Sequence, residues 1–342
     1  MTSLLATLVL AQAAAGAPPS DAAADFTWTP IIDAFAQYAA RWPTDAEASN
    51  DFSVPRVHLG AEAGWRGASA RVLLEGVYST QGGALVGVAG DSVVVRLREA
   101  WGGYRWRFLE AKLGMVPTLL VPELEQAWRF RELTPTGLES NRLMAPADLG
   151  GLLLGHLPAD YGWVGVGVTN GEGYASRELN PGKNFEVTAA VHPLPGGRFW
   201  PVTLVASAMF GSTGVVESAT QRYGGAALWS GRKLGVSLSG FGVNGYQGDA
   251  TKVGYQLEGG VRGELFEHLL LAARAQYFRR DVSRDDWLLE VLGAVGVRVA
   301  FLETFVSVVR TVLAAETRAA LPGTDGTELR LVLRVRWPPL QP

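Results

Sequence analysis

The chain has 342 residues, of which 48% are hydrophobic, 18% are charged and 10% are aromatic, and its formal net charge at pH 7 is −3. This balance excludes a protein that binds nucleic acid through a basic surplus. No apolar run in the sequence approaches the roughly 20 residues that a membrane-spanning helix needs. The absence of cysteine excludes disulfide frameworks, cysteine metal sites and cysteine nucleophiles.

The first residues have the composition of an export signal. Leu4 to Leu10 form a short apolar stretch, and small residues follow, with Ala15-Gly16-Ala17 as a candidate cleavage site. A disordered alanine-rich tail is the alternative, because no lysine or arginine precedes the apolar stretch.

From about residue 31 the sequence alternates between apolar and charged residues, which is typical of strands with two different faces. Between residues 55 and 66, for example, Val57 and Leu59 alternate with Arg56 and His58. About sixteen such segments follow one another, each close to the 9–11 residues that a tilted strand needs to cross a bilayer. Their expected starts are near residues 31, 55, 69, 92, 106, 147, 161, 183, 199, 222, 232, 252, 268, 287, 304 and 327.

The spacers between these segments alternate in length, as the periplasmic turns and extracellular loops of outer-membrane barrels do. Short turns are expected near residues 66–69, 103–106, 157–160, 194–198, 230–232, 264–267 and 301–304. Longer loops are expected at 43–54, 80–91, 117–146, 171–182, 211–221, 243–251, 280–286 and 313–326.

Aromatic residues on the apolar faces are sorted by strand end. We expect one belt formed by Trp65, Trp101, Trp200, Trp229 and Trp337, and a second belt formed by Tyr78, Tyr223, Tyr255 and Tyr277. Such belts lie at the headgroup levels of a membrane barrel. The alternative is that tryptophan and tyrosine merely suit strands.

Strands cross hydrocarbon only as a closed barrel, because every backbone N–H and C=O group must be paired within the protein. We therefore expect an all-β protein, a transmembrane antiparallel β-barrel of about sixteen strands, located in the bacterial outer membrane. Its apolar faces contact lipid and lipopolysaccharide, and its charged faces point inward. The expected organisation is a signal peptide (1–17), an N-terminal periplasmic segment (18–30), the barrel (31–337) and a short C-terminal tail (338–342).

The loop from Pro117 to Pro146 is the third long loop, and it is long for a hairpin connection and dense in charge. A short helix is predicted after Pro122. We expect the loop to fold into the lumen, where opposed acidic and basic side chains filter solutes by charge and size; an ordinary solvated loop is the alternative. The expected constriction residues are Glu123, Glu125, Arg129, Arg131, Glu132 and Arg142.

The inward faces of the strands carry a small excess of basic residues. The expected basic wall consists of Arg56, Arg71, Arg96, Arg98, Lys112, Arg262, Arg274, Arg298 and Arg334. This excess predicts a weak preference for anions at most, because several of these side chains are expected to pair with acids across strands.

Patterns that mark enzymes are absent from the sequence. The four histidines, His58, His156, His192 and His268, have no metal-ligand spacing. No nucleophile elbow, P-loop or dinucleotide fingerprint occurs. We therefore expect no enzymatic activity, no cofactor and no metal, the alternative being an outer-membrane hydrolase with a dispersed Ser/His/acid set.

The stretch from Lys112 to Pro195 resembles the phosphate-selective porin O and P family. The segments that carry the resemblance are Lys112–Thr118, Glu123–Arg131, Ala147–Gly150, Thr169–Tyr174 and Ala189–Pro195. The resemblance implies a sixteen-stranded porin, usually a homotrimer, through which small hydrophilic solutes or anions diffuse passively. The chain departs from this pattern in having four lysines, Lys112, Lys183, Lys233 and Lys252, so arginines with a different geometry would have to guide phosphate.

Two other functions stay open on the sequence. One is a barrel with a plugged lumen that acts as an adhesin or receptor through its extracellular loops. The other is a soluble, exported all-β protein.

Overall fold

The computed structural model describes residues 26–79, 92–176, 178, 180–195, 202–213, 217–246, 249–266 and 268–337. Sixteen antiparallel strands pair in sequence order, and β1 pairs with β16, which closes the barrel. The strands are β1 Phe26–Pro43, β2 Ser49–Trp65, β3 Ala68–Ser79, β4 Ser92–Trp106, β5 Leu109–Pro117, β6 Ala147–His156, β7 Gly162–Thr169, β8 Asn184–Val191, β9 Val202–Thr213, β10 Ser218–Ser230, β11 Leu234–Tyr246, β12 Asp249–Leu265, β13 Leu269–Asp281, β14 Asp286–Val299, β15 Leu302–Leu313 and β16 Gly326–Trp337. The predicted closed barrel of sixteen strands is therefore confirmed.

The two faces of each strand differ as the alternation predicts. On β16, Leu329, Leu331 and Leu333 are exposed on the outside. Val332 and Arg334, which alternate with them along the strand, are buried inside. An apolar exterior of this kind suits contact with hydrocarbon. We call the rim at which β1 begins and β16 ends the terminal rim, and the other the opposite rim.

Aromatic rings lie on the outer face near both rims. Trp65 is exposed at the terminal rim, and Tyr223 and Tyr255 are exposed towards the opposite rim. Tyr255 packs against Tyr277 with 5.9 Å between ring centroids. Of the other belt residues, Trp200 and the side chain of Tyr78 lie outside the described residues.

The expectation for Trp101 is wrong, because a β-bulge reverses the alternation in β4. Leu73 pairs with Glu99 and Leu74 pairs with Leu97, so Arg98 is an extra residue in the ladder. Arg98 and Glu99 are consequently both buried inside, and every later residue of β4 changes face. Trp101 is buried in the lumen, where its indole N–H donates to Oε2 of Glu99 at 3.3 Å.

Several boundaries also differ from the expected ones. β1 begins at Phe26, so residues 26–30 are strand and not part of the periplasmic segment. Pro30 is tolerated there because the pairing of β1 with β16 starts only at Ile32, which leaves one side of the strand without a partner. The expected turn at 103–106 lies within β4, and the chain turns instead after Trp106, where Arg107 has a φ of 55°.

Four of the eight expected long loops are short, because the strands continue towards the opposite rim. The expected loop 43–54 is reduced to residues 44–48, and 280–286 to residues 282–285. Strands likewise take up most of 211–221 and 243–251. The loop at 80–91, the signal peptide at 1–17 and the tail at 338–342 lie outside the described residues.

Within the described residues, three helices and a 3-10 turn lie in the connections. They are α1 Val121–Trp128, α2 Gly137–Ser140, the 3-10 turn Pro158–Asp160 and α3 Ala315–Ala320. Among the described residues, no helix is long and apolar enough to cross a membrane.

The connection between β15 and β16, which contains α3, is held by a buried carboxylate, Asp325. Arg318 donates to its Oδ2 at 2.6 Å and the Thr44 hydroxyl donates to its Oδ1 at 2.9 Å. Burial by itself would raise the pKa of Asp325, but these hydrogen bonds hold it below its ordinary value. The ionised carboxylate therefore joins this connection to the loop between β1 and β2.

Candidate functional site

The connection of residues 118–146, between β5 and β6, lies inside the barrel. Its apolar side chains, among them Leu120, Leu124 and Leu138, are buried in one cluster with inward residues of β8 to β15 such as Phe241 and Phe278. We call this segment the lumen loop. A solvated extracellular loop would have no reason to bury these side chains.

The local sequence explains the shape of the lumen loop. Pro122 lies in the first turn of α1, where a missing N–H group costs nothing. Val121, Leu124, Ala127 and Trp128 form the buried face of this helix. The helix ends at Arg129, whose left-handed backbone (φ 64°) redirects the chain.

A second apolar cluster fixes the following residues. Trp128, Phe130 and Leu133 pack against inward residues of β13 to β16. The Phe130 and Phe305 rings meet edge to face with 5.1 Å between their centroids. The lumen loop thus covers the β8–β16 half of the wall with apolar contacts.

Polar side chains of the wall hold the backbone of the lumen loop. Glu186 on β8 accepts hydrogen bonds from the N–H groups of Leu119 (3.0 Å) and Leu120 (3.1 Å). Arg262 on β12 donates to the carbonyl oxygen of Ala127 at 2.8 Å. Further bonds of this kind run from Arg222 to Leu143, from Arg274 to Pro135, from Arg330 to Leu133, from Arg334 to Arg129, and from the Gly137 N–H to Glu258. Such bonds satisfy backbone groups that would otherwise be buried without partners.

Gly137 lies close against β12 and β13 of the wall. A Cβ atom at this position would lie 1.9 Å from Nε2 of Gln256 and 2.4 Å from Oε2 of Glu258. A larger residue here would have to displace the ends of these side chains.

On the other side, the lumen loop meets the wall through charges. Six side chains form a closed circuit of alternating sign, which we call the charge ring: Arg56, Glu139, Arg131, Glu125, Arg98 and Glu75. Three of them belong to the lumen loop, and the others belong to β2, β3 and β4. Adjacent atoms lie 3.2 Å apart for Arg56–Glu139 and for Arg56–Glu75, 3.4 Å for Arg98–Glu75 and 3.8 Å for Arg98–Glu125. Arg131 pairs with both Glu125 and Glu139.

Glu75 joins the charge ring to a second connection. The hydroxyl of Tyr174, which lies between β7 and β8, donates to Oε2 of Glu75. On the other oxygen, Nε2 of His58 lies 3.1 Å from Oε1. Glu75 is fully buried, and it is held there by His58 on β2 and by Tyr174 from the β7–β8 connection.

Two cavities with many charged residues in their lining lie beside the lumen loop. The larger one, about 1220 Å³, opens towards the terminal rim and is lined by β1 to β5, β16 and the lumen loop. We call it the vestibule. The smaller one, about 380 Å³, lies towards the opposite rim and is lined by Phe35, Gln37, Arg41, Arg56 and Glu328, among others.

Arg131 lies between the two cavities. Of the described residues that line the vestibule and the smaller cavity, it alone lines both. It stands where the lumen loop meets the β2–β4 side of the wall through ion pairs. We call this level, between the two cavities, the narrow level of the lumen.

No protein-family model and no curated protein matches the sequence. Among solved structures, the anion-selective porin from Comamonas acidovorans is 12% identical with a TM-score of 0.64, covering 91% of this chain and 100% of that chain. OmpF of Salmonella typhi, solved in complex with daunomycin, is 11% identical with a TM-score of 0.65, covering 92% and 98%. OmpT of Vibrio cholerae, in a trimer form, is 12% identical with a TM-score of 0.59, covering 91% and 100%. The chain has the porin fold.

Within this porin fold, the predicted constriction residues separate into different environments. Glu125 and Arg131 belong to the charge ring, and Arg129 lines the vestibule. Glu132 is buried against Arg334, whose Nη1 lies 2.6 Å from its Oε2. The remaining two, Glu123 and Arg142, belong neither to the charge ring nor to the lining of the two cavities.

Glu123 faces the wall and not the passage. Its Oε1 accepts a hydrogen bond from the indole N–H of Trp163 at 3.2 Å. Burial raises the pKa of Glu123, and the indole opposes this rise. Arg142 is exposed and lines neither of the two cavities.

The predicted basic wall also separates into groups. Arg71, Arg98 and Lys112 line the vestibule, together with Arg334, and Arg56 lines the smaller cavity. Arg262 and Arg274, again with Arg334, donate to the lumen loop. Arg298 pairs with Glu264 (2.8 Å) and Glu303 (2.6 Å). Arg96 is half-buried and lies opposite Glu75 in the strand register.

Sequence reasoning missed several residues of the site. Arg105 lines the vestibule, although it falls within the turn expected at residues 103–106. Glu139 is not among the expected constriction residues, and Tyr174 is named only as the end of a segment that carries the family resemblance. The signal that could have located the lumen loop is its density of leucine, tryptophan and phenylalanine, which an exposed loop does not need.

The vestibule is predominantly basic. Its lining includes nine cationic side chains, Arg66, Arg71, Arg98, Arg105, Lys112, Arg129, Arg131, Arg334 and Arg336, and five acidic ones, Asp33, Glu62, Glu99, Glu110 and Glu125. In the part of the chain that the structure describes, no group of three or more histidine or acidic residues could hold a metal ion.

Proposed function

We propose that the protein is an outer-membrane channel through which small hydrophilic solutes diffuse passively. The observation that carries this proposal is the pair of cavities, lined by many charged side chains, inside a closed, externally apolar barrel; the two share one lining residue, Arg131. A sixteen-stranded barrel is wide enough for an aqueous channel. The similarity in fold to porins, one of them titled anion-selective, supports the same function.

The lumen loop acts as the constriction in this proposal. Arg131, Glu125 and Glu139 present both signs of charge at the narrow level. A solute that passes them must exchange part of its water shell for these fixed charges, which selects by charge and size. The charge ring keeps the two signs at fixed positions while solutes pass.

A preference for anions follows from the lining of the vestibule. Nine cations against five acids give a positive potential, which raises the local concentration of anions. Phosphate-like solutes are included in this proposal, as the resemblance to the phosphate-selective porins implies. We also propose a homotrimer surrounded by outer-membrane lipid and lipopolysaccharide, which the trimer form of the similar OmpT supports.

The plugged receptor barrel is the second candidate, and one observation favours it. The lumen loop bonds to β2, β4, β7, β8, β10, β12, β13 and β16, so it spans much of the lumen. A channel requires that water and ions still pass Arg131.

Conductance of the purified protein in planar bilayers separates the two candidates. Stepwise, ohmic current in KCl is expected for the channel, with a reversal potential in a KCl gradient that shows anion preference. A protein that inserts in the bilayer, retains its strand signal in circular dichroism and carries no current would contradict the channel and favour the plugged barrel.

A further inference from the structure

A groove of about 580 Å³ lies on the outward face of the wall, where it crosses β10 to β14. Leu238 and Leu257, which are both exposed, border it. Its floor consists of small residues that leave the strands almost bare, namely Gly225, Ala227, Gly240, Gly259 and Ala275. Because the outward face contacts hydrocarbon, either a lipid chain or another protein surface must fill this groove. We call it the outer groove.

A row of rings lies at the end of the outer groove that points towards the opposite rim. Tyr277, which lines the groove, packs against Tyr255 and stacks on Trp287, each with 5.9 Å between ring centroids. The Tyr223 ring covers Gly242, where a Cβ atom would lie 2.7 Å from the ring. Amphipathic rings on the outward face mark the headgroup level of a membrane. The outer groove therefore lies in hydrocarbon, directly below the headgroups.

Arg279 lies among these rings. It follows Tyr277 by two residues on the same outward face, about 6.8 Å along the strand, and it is the register partner of both Tyr255 and Trp287. The side chain is half-buried. Its Nη2 donates to the carbonyl oxygen of Arg284 at 2.8 Å, and within the described residues its guanidinium has no carboxylate partner. A guanidinium held partly out of water is stabilised by an anion.

The acids of the neighbouring loop are bonded elsewhere. Asp285 accepts a hydrogen bond from the indole N–H of Trp287 at 2.9 Å, and Asp281 accepts one from the hydroxyl of Ser283 at 2.7 Å. Arg310, an outward arginine of β15, differs from Arg279, because Asp325 lies 3.3 Å from its guanidinium. Arg279 is thus left to a partner from outside the chain.

A lipid fits this face better than a second copy of the chain does. Away from their ends, the described strands carry no carboxylate on the outward face, so the wall of a second copy offers Arg279 no anion at this level. An anionic lipid supplies both requirements in one molecule. Its headgroup meets Arg279, and its hydrocarbon chain fills the outer groove.

The position of the outer groove identifies the leaflet. The opposite rim carries long connections, such as 118–146 and 314–325, whereas turns as short as 66–67 lie at the terminal rim. Long connections are the extracellular loops of outer-membrane barrels. The outer groove therefore faces the outer leaflet, whose lipid is lipopolysaccharide.

We propose that Arg279 and the outer groove bind the lipid A part of lipopolysaccharide. Arg279 donates charge-assisted hydrogen bonds to a phosphate group of lipid A. One acyl chain lies in the outer groove between Leu238 and Leu257. A chain that leaves fluid hydrocarbon gains no hydrophobic energy, so its affinity comes from packing contacts and from the phosphate pair. The site goes beyond the proposed channel, because it holds a membrane lipid on the outside of the barrel.

Titration of the purified protein with lipid A in detergent, followed by native mass spectrometry, tests this site. The unchanged protein is expected to bind one lipid A, and to bind lipid A without its phosphate groups about tenfold more weakly. Arg279→Gln should raise the apparent Kd for lipid A about tenfold, the size expected on losing one charge-assisted partner. Ala275→Trp fills the outer groove from an exposed position and should raise the Kd about three- to fivefold, the equivalent of about five lost atom contacts.

Arg107→Gln and Ala70→Trp are the matched controls. Arg107 is an exposed arginine beside a tryptophan at the terminal rim, with its guanidinium carbon 5.0 Å from the centroid of the Trp106 ring. Ala70 is exposed on the outward face of β3. Neither residue lines the outer groove, so both variants should bind lipid A as the unchanged protein does. A retained strand signal in circular dichroism shows that each variant is folded.

The outcomes separate the lipid from the other occupants. Equal Kd values for Arg279→Gln and Arg107→Gln, or for lipid A with and without phosphate groups, would overturn the site. Phosphatidylglycerol bound as tightly as lipid A would overturn the assignment to lipopolysaccharide. If lipid A does not bind and Ala275→Trp instead breaks up an oligomer, the outer groove is a contact between copies and the proposal is wrong. None of these readouts depends on channel current, so the site and the channel are tested separately.

Discussion

Replacing Arg131 with alanine changes the charge at the narrow level of the lumen, where this side chain lines both cavities. Its two partners stay in place, because Glu139 remains 3.2 Å from Arg56 and Glu125 remains 3.8 Å from Arg98. The variant thus loses one positive charge without losing the rest of the charge ring. We expect larger conductance and a shift of selectivity towards cations.

The size of the shift follows from Coulomb's law. A unit charge about 6 Å from a passing ion, at an effective dielectric constant of about 40 to 80, changes the ion's energy by about 0.7 to 1.4 kcal/mol. Screening at about 0.1 M salt reduces this to roughly 0.4 to 0.8 kcal/mol. Because the change has opposite signs for chloride and potassium, their permeability ratio should fall by about four- to fifteenfold.

Reversal potentials in KCl gradients measure this ratio directly. Glu125→Gln, which removes a negative charge from the same ring, should shift the ratio in the opposite direction, and Arg142→Ala serves as the control in the same loop. The effect should shrink towards about 1 M salt, where the Debye length is only about 3 Å. Equal ratios for Arg131→Ala, Glu125→Gln and the control at low salt would refute the assignment of the narrow level to Arg131.

Three other perturbations test what holds the site. Tyr174→Phe removes the hydroxyl that bonds to Glu75. We expect a loss of about 1 kcal/mol of unfolding free energy and noisier single-channel currents. A current trace indistinguishable from that of the unchanged protein would contradict the coupling of Tyr174 to the charge ring. Glu186→Ala leaves two buried amide N–H groups of the lumen loop without their acceptor. Each unsatisfied group costs about 1–3 kcal/mol, so the midpoint of urea unfolding should fall and proteases should cut the loop sooner. Unchanged cleavage would show that Glu186 is not needed to hold the loop. The lowered pKa of Asp325 means that its contribution to stability is complete above the ordinary value of about 3.9 and is lost as the pH falls through the lowered pKa. Melting temperatures between about pH 2 and pH 6 should show this loss of stability at low pH in the unchanged protein and not in Asp325→Asn. Parallel curves for the two proteins would contradict the role of Asp325.

The barrel was accessible from the sequence because its signals are local. Alternation repeats every two residues in each strand, whatever the neighbouring strands are, and a membrane barrel has the same requirement throughout. The expected starts of β4 at residue 92 and of β6 at residue 147 coincide with the observed ones. Closure follows from the need to pair both edges of the sheet.

The error in the predicted faces of β4 arose where one extra residue reversed the inward and outward alternation. At Arg98, the bulge turns two successive charged residues inward, so Trp101 lies on the face opposite to the expected one. A strict period of two cannot locate an inserted residue, because the bulge is defined by the partner strand. Pairs of adjacent charges such as Arg98-Glu99 are the trace that it leaves in the sequence.

The sequence alone determined that this chain forms a closed barrel with an apolar exterior, and that one long charged loop interrupts its rhythm. Which cations face the passage was decided only in three dimensions. Arg274 and Arg71 look alike on their strands, yet one is buried beneath the lumen loop and the other lines the vestibule. The difference depends on the half of the wall that the loop covers, and this is set by the packing of residues far apart in the chain, such as Leu138 and Phe278 in one buried cluster. Alternation predicts which face of a strand a side chain occupies. Only tertiary packing decides whether an inward side chain meets the lumen loop or the vestibule.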